Sequence, residues 1–496
     1  MDYVLALDQG TTSSRAILYD RQCRVVGFAQ REFPQIYPRP GEVEHDAQVI
    51  WDTQREVAAK VLADARVRDA EVAAVGLTNQ RETVVVWERA TGRPICNAIV
   101  WQDRRTASVC EALRTAGKSE LIAQKTGLVI DPYFTATKLQ WILDATDGAR
   151  RAAERGDLCA GTIDSWILFQ LTKGAVHATD ASNASRTMLF DIHRGEWDDE
   201  LLDLFSVPRR MLPEVCDSSG RVAKVAAGLP AAGASIAGIA GDQQAALFGQ
   251  MCWEPGLAKS TYGTGCFLLL CTGARPIASA SHLLTTVAWR IGGKLEYALE
   301  GSVFTGGAVV QWLRDELRLV ASARECDELA HSVADTGGVF LVPAFAGLGA
   351  PHWDPNARGA LFGLTRGSSR AHVCRAALQG VALQVADLVA CMEKDSGLSL
   401  CELRVDGGAC RSEVLMQMQA DLLGIPIVRP ADVESTARGA AMLAGLGVGF
   451  YDRSTFANWQ QSSSRVVPRS RNDELIELRA GWNRAVAAAR AFASGA

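Results

Sequence analysis

Residues 5–20 read LALDQGTTSSRAILYD. An apolar run ends in an aspartate, turns through a glycine and four hydroxyl residues, and returns as a second mostly apolar run headed by Arg15. A chain that reverses within so few residues is expected to form a tight hairpin at the start of a sheet. The middle of the chain opens in the same way. SIAGIAGDQQAALFGQ (235–250) is an apolar segment, a glycine–aspartate turn and a helix, and AKSTYGTGCFLLLCTG (258–273) repeats the run, turn and strand. Two such openings in 496 residues predict two α/β domains of similar size, 1–245 and 246–496, with a ligand cleft between them.

Between these openings the pattern alternates. VLALD, RAILYD and RVVGFAQ read as strands, and VIWDTQREVAAKVLADA as a helix that Asp46 is placed to cap. VAAVGLTNQ and TVVVWE return as strands, and TTVAWRIGGKLEYALEG reads as a hairpin about Gly292 and Gly293. VVQWLRDELRLV and the C-terminal RNDELIELRAGWNRAVAAARAFA have helical periodicity. The net charge of -5, from 56 acidic and 51 basic residues, points away from nucleic-acid or acidic-membrane partners. No run of about 18 apolar residues suggests a membrane span. The start, MDYVLALDQG, has no signal-peptide form. Thirteen cysteines without a CxxC pair read as reduced thiols of a cytoplasmic protein. The seven histidines show no metal-ligand spacing. Trp101, Trp141, Trp253, Trp289 and Trp312 lie on apolar segments and read as core or cleft walls.

The 45 glycines cluster as GTTSS, GIAGDQQ, TYGTGC, FTGGA and DGGA. One cluster is an ordinary turn; several, some beside an aspartate, favour a phosphate site. A glycine bend aims successive N–H groups outward, and such a nest binds anionic oxygens without a lysine. Thr11, Thr12, Ser13 and Ser14 add hydroxyls there, and Arg15 adds charge. Asp8 would repel a bare phosphate, so a divalent cation between them is implied, and Mg2+ suits carboxylate, water and phosphate oxygens. The stretch is neither GxxxxGK[ST] nor GxGxxG. Asp242 follows a glycine at a strand end, the place for an exposed carboxylate or for a helix cap. Arg81 beside Glu82 offers donors and acceptors together, but neighbours in a strand point to opposite faces, so the strand has to end before both can face one ligand.

LDQGTTSSRAILYD resembles the phosphate hairpin of the sugar kinases related to actin and the Hsp70-type ATPases. NQRETVVVW, VWQDRRTA, DPYFTATKLQWIL, TDASNASRTMLFDI, GIAGDQQAALFGQ, STYGTGCFLL, GLGAPHWDPNARG and RVDGGA, in that order, resemble the glycerol-kinase branch of the carbohydrate-kinase family that also holds xylulokinase and gluconate kinase. The resemblance runs from residue 4 to at least residue 450. It implies two actin-like (ribonuclease H-like) α/β domains flanking a deep cleft. The first would carry the polyol and phosphate-hairpin side and the second the adenosine side.

The resemblance further implies transfer of a phosphoryl group from ATP to glycerol, with Mg2+. Arg81, Glu82, Tyr133, Asp242 and Gln243 would hold the polyol, Phe267 would wall it, and Asp242 would be the general base. Thr11, Thr12, Ser13, Arg15, Thr264, Gly307, Gln311, Gly408, Ala409 and Ser412 would face the nucleotide. Asp8, through water, and Asp242 would face the metal. Assembly as a homodimer or homotetramer is implied as well. Another small polyol or sugar, of the erythritol or xylulose type, is the same-fold alternative, and an actin- or Hsp70-like nucleotide-dependent interaction protein is the alternative of another class. The chain departs from the pattern at Ser412 and Glu413, where glycerol kinases usually carry an asparagine pair.

Overall fold

The computed structural model describes residues 1–431, 434–456, 464–469 and 472–494. Arg471, the first residue of the expected C-terminal helix, lies outside them; the helix runs Asn472–Ser494.

The opening hairpin forms as the sequence predicts. Tyr3–Gln9, Ser13–Tyr19 and Val25–Glu32 are antiparallel neighbours, and the register sets Asp8 opposite Arg15. The helix Ala47–Asp64 then crosses over, with Asp46 accepting from the N–H groups of Gln48 (2.8 Å) and Val49 (3.3 Å) at its start. Ile50, Trp51, Gln54, Val57, Val61 and Leu62 recur at helical spacing on its buried face. Val72–Asn79 returns parallel to the first strand, and Ser235–Gly241 lies parallel to that. The second opening repeats this plan. Ala258–Tyr262, Cys266–Gly273 and Lys294–Val303 are antiparallel neighbours, and Leu403–Asp406 and Ile427–Arg429 extend the sheet in parallel. Thus each half orders three antiparallel strands and then two parallel ones. The halves join in one 13-stranded sheet, through the pair Ser219–Ile291.

Glu44–His45, Ala98–Ile99, Val84–Glu88 and Leu158–Thr162 form a separate four-stranded sheet, so TVVVWE leaves the main sheet. The helix expected from VVQWLRDELRLV runs only Ala308–Asp315. The left-handed backbone of Arg318 (φ 52°) ends the periodicity there.

The helix Ser435–Val448 returns to the first half and packs on Tyr3–Gln9, Val72–Asn79 and Ser235–Gly241, and across the helix Asp242–Gly249. Where the two helices cross, a Cβ at Gly439 would fall 1.8 Å from the Ala245 carbonyl oxygen, so only glycine fits. One apolar cluster therefore draws on both halves, with Val4, Ala6 and Ala240 against Leu269, Ala440 and Leu443. Arg370–Ser396 is the one described helix long and apolar enough to cross a membrane, and 67% of its apolar stretch is buried inside the fold. All 13 cysteines are free thiols, most of them buried.

Candidate active site

The strand Val72–Asn79 ends just before Gln80-Arg81-Glu82. Glu82 takes a left-handed backbone (φ 63°), so strand alternation no longer separates the two side chains. Arg81 and Glu82 are 3% and 1% exposed, which rules out a surface ion pair. The Arg81 guanidinium is a hub. Its Nη1 and Nη2 donate to Glu300 at 2.5 and 2.9 Å, and its Nε lies 3.2 Å from Asp242 Oδ1 and 3.7 Å from Glu82 Oε1. Nη2 also reaches the Tyr133 hydroxyl at 3.5 Å. Burial works against each of these charges. At Arg81 the carboxylates of Glu300 and Glu82 outweigh it and hold the guanidinium protonated. At Glu300, burial is outweighed by Arg186 and Arg81, which hold its carboxyl down at about 2.

Asp242 opens the helix Asp242–Gly249, but the cap position is Gly241. The Gly241 N–H donates to Ser182 Oγ at 3.0 Å. Asp242 Oδ1 accepts from the adjacent Gln243 N–H at 2.7 Å. Its side chain is 32% exposed, whereas Arg81, Glu82 and Glu300 beside it are sealed. Loss of hydration in the cleft raises its carboxyl above the ordinary value, although Arg81 and Lys259 pull the other way. Gln243 accepts a short hydrogen bond from the buried Lys259 Nζ, which also donates to Thr261 Oγ1 at 2.9 Å. Phe267 is half-buried on the neighbouring strand, registered between Thr261 and Ser302.

On the hairpin, Gly10 N–H donates to the Ser13 carbonyl at 3.0 Å, and the Thr12 carbonyl accepts from Phe33 N–H at 3.2 Å. Gln35 holds the Thr11 carbonyl at 3.1 Å. Among the described residues no partner takes the N–H groups of Thr11 and Thr12, which form the open side of the bend. Ser13 and Ser14 are buried in the strand. Ser14 Oγ donates to Gln9 at 2.8 Å, so that hydroxyl serves the fold. Trp101 is half-buried, and its indole Nε1 donates to Thr11 Oγ1 at 3.0 Å. Its ring stands edge-on to Tyr133 with centroids 5.5 Å apart. Trp141 differs from expectation: it is 37% exposed, under the Arg105 guanidinium. Asp8 is 4% exposed, and among the described residues its one near cation is Arg15 at 3.5 Å, itself shared with Glu434 at 3.6 Å. Burial pushes the Asp8 carboxyl up to about 6.

Three turns of the second half meet one another. A Cβ on Gly307 would sit 2.9 Å from the Gly263 carbonyl oxygen and 3.6 Å from Ala409 Cβ. Thr264 O accepts from Gly306 N–H (2.7 Å) and Ala308 N–H (3.1 Å). Thr264, Gln311 and Gly408 are exposed. Ser412 caps the helix Glu413–Leu423 by accepting from Leu415 N–H at 3.0 Å, and its hydroxyl donates a short hydrogen bond to Asp327. The charge of Glu413 is matched by Arg429 at 2.6 Å.

Glu300, Arg186 and Lys259 were not singled out by the sequence reading. They lie in TTVAWRIGGKLEYALEG, TDASNASRTMLFDI and AKSTYGTGCFLLLCTG, but nothing in local pattern marks any of the three. They reach the cluster from strands and turns more than a hundred residues from Glu82.

Residues 3–249 match the N-terminal domain of the FGGY family of carbohydrate kinases, and residues 258–448 match its C-terminal domain. A glycerol kinase of Trichlorobacter lovleyi is 57% identical over 494 residues, 99% of this chain and 100% of that one. A glycerol kinase of Koribacter versatilis is 57% identical over 487 residues, 98% of each chain. Among solved structures, the Plasmodium falciparum glycerol kinase with ADP superposes with a TM-score of 0.93 at 34% identity, covering 99% of this chain and 98% of that one. Xylulose kinase from Lactobacillus acidophilus shares the fold, with a TM-score of 0.87 at 23% identity over 98% of this chain and 99% of that one. The repeated sheet order, the cluster about Arg81 and the meeting glycine turns are thus those of a chain that belongs to the FGGY family of carbohydrate kinases.

Proposed function

We propose that the protein transfers the γ-phosphoryl group of ATP to glycerol, giving sn-glycerol 3-phosphate and ADP. The observation that carries this reading is the single cluster in which Arg81 joins Asp242, Glu82 and Tyr133. A small polyol needs donors and acceptors side by side, and this cluster supplies both within one guanidinium's reach. Asp242 is its one partly exposed carboxylate, which suits it to accept the hydroxyl proton as the oxygen attacks phosphorus. Arg81 Nε holds that carboxylate in place from one side only, and Phe267 walls the carbon chain. On the nucleotide side, the open N–H groups of Thr11 and Thr12 suit phosphate oxygens. The turns at Thr264, Gly307, Gly408 and Ala409 allow the backbone close to the nucleotide, with Gln311 and Ser412 at their margin. The polyol and hairpin side belongs to residues 1–245 and the adenosine side to 246–496 in this reading.

Among the described residues no group of three or more His, Cys, Asp or Glu side chains gathers to hold a metal ion. The donor set nevertheless fits Mg2+, which commonly takes one or two carboxylates and completes its shell with water and phosphate. Asp8 is buried and, among the described residues, paired with Arg15 alone at 3.5 Å, and Asp242 acts on it electrostatically. These two carboxylates would hold the ion, which supplies charge neutralisation at the phosphate oxygens. The deciding experiment offers the enzyme ATP with a panel of glycerol, erythritol, xylulose and other small polyols and follows ADP release. Glycerol-dependent ADP is expected; preference for another acceptor by tenfold or so in kcat/KM would overturn the assignment.

A further inference from the structure

Beneath the acceptor cluster lies a second buried guanidinium. Arg186 is fully buried and bridges two carboxylates: Nε donates to Glu82 Oε1 at 2.7 Å, and Nη2 to Glu300 Oε1 at 3.1 Å. Its guanidinium carbon lies 5.9 Å from the Tyr133 ring centroid and 5.3 Å from that of Phe134. Among the described residues its buried Nη1 has no hydrogen-bond partner, a cost accepted by a group held for its direction. Both guanidinium groups address the same oxygen of Glu82, Oε1, with Arg186 Nε at 2.7 Å and Arg81 Nε at 3.7 Å. With Glu300 taking both Nη groups of Arg81, only Nε faces Asp242.

We propose that Arg186 is a positioning residue for the acceptor site: acting through Glu82, it sets the hydroxyl pattern the site accepts, with Glu300 as the counter-ion that fixes both guanidinium groups. The inference rests on the reading of Glu82 as a polyol contact. The segment that carries Arg186 is itself anchored. Asp180, fully buried, accepts from the N–H groups of Ser182 and Asn183 at 2.9 Å each. Ser182 Oγ in turn holds the Gly241 N–H beside Asp242. One short turn therefore sets both Glu82 and the start of the helix that bears Asp242. A lysine in place of Arg186 keeps the charge but lacks the planar fork that serves two carboxylates at once.

The test compares glycerol with 1,2-propanediol and 1,3-propanediol, each lacking one hydroxyl, in the parent, R186K, R186M, E82Q and the R186K/E82Q double variant. Removal of a guanidinium from between two buried carboxylates endangers folding; R186K keeps the experiment decisive if R186M does not fold. R186K is expected to raise the KM for glycerol and to cut the preference for glycerol over at least one diol by about tenfold or more, with the KM for ATP within about twofold of the parent. Because Arg186 acts through Glu82, the double variant is expected to be no worse than E82Q. A folded R186K that keeps parental discrimination while E82Q loses it overturns the positioning role alone. Parental discrimination in E82Q overturns the reading of Glu82 and the inference with it.

Discussion

Asp242 begins a helix without capping it, and this separates two accounts of the residue. Asparagine caps about as well as aspartate, so a structural role would survive Asp242→Asn. A general base would not: kcat is expected to fall roughly 10^2–10^4-fold, with the KM for ATP little changed and the melting temperature near the parent's. Near-normal kcat in a stable variant would remove Asp242 from the chemistry. His45 makes a different prediction. It is fully buried between Gln35 (2.7 Å) and Gln80 (3.3 Å), and burial pushes its imidazole down to about 4. The unfolded chain therefore takes up the proton first. The stability from keeping His45 neutral is present above about pH 6.5 and is lost as pH falls toward about 4, at up to about 1.4 kcal/mol per pH unit. Asp8 and Asp164, both pushed up to about 6 by burial, act in the opposite sense over the lower part of that range, and His177, pushed down to about 4, acts in the same sense as His45, so the parent's own curve sums opposing contributions. The difference between variants isolates the histidine. The melting temperature of His45→Gln relative to the parent is expected to rise between pH 7 and pH 5, and an unchanged difference would show that His45 titrates normally in the fold.

Among the elements, the glycine turns give the sharpest test. Gly307 has no room for a side chain against Gly263. Gly307→Val is expected to push the turns apart and raise the KM for ATP by about tenfold or more, with the KM for glycerol held within about threefold; equal effects on both substrates would mean that the turns do not face the nucleotide. These elements were legible because their signals are local. The opening hairpin, the Asp46 cap and the Gly292–Gly293 hairpin each depend on a few neighbouring residues, and each forms as read. Strand alternation also raised the question that the left-handed Glu82 answers. The illegible parts are long-range. Nothing in LEYALEGSV marks Glu300 as the partner of Arg81, and nothing in AKSTYG marks Lys259 as buried beside Gln243, because both depend on pairings across the sheet. Local periodicity also overreached at VVQWLRDELRLV, where the backbone turns at Arg318. It assigned TVVVWE no sheet of its own, since sheet membership is a tertiary property.

At the scale of the molecule, the acceptor cluster hangs mostly on the first half, and the glycine turns belong to the second. In the function proposed above, substrate and nucleotide would meet only where the halves face each other, and closing over both would exclude water. Small-angle scattering with glycerol and a non-hydrolysable ATP analogue is expected to show a smaller radius of gyration than the free protein; an unchanged value would argue against a large closure. Mg2+ removal by a chelator is expected to abolish transfer, and Asp8→Asn to lower kcat more than it raises the KM for glycerol. Transfer that persists in excess chelator would exclude the ion from the reaction. The helix Ser435–Val448 ties the halves in another way, since it lies on the sheet of the first. During synthesis the first half leaves the ribosome with that apolar face bare, and it stays bare until the chain has grown past Val448. A nascent chain stalled before Ser435 is thus expected to expose that face to chaperones, and a fragment ending before Ser435 to fold less stably than the same residues do in the whole chain.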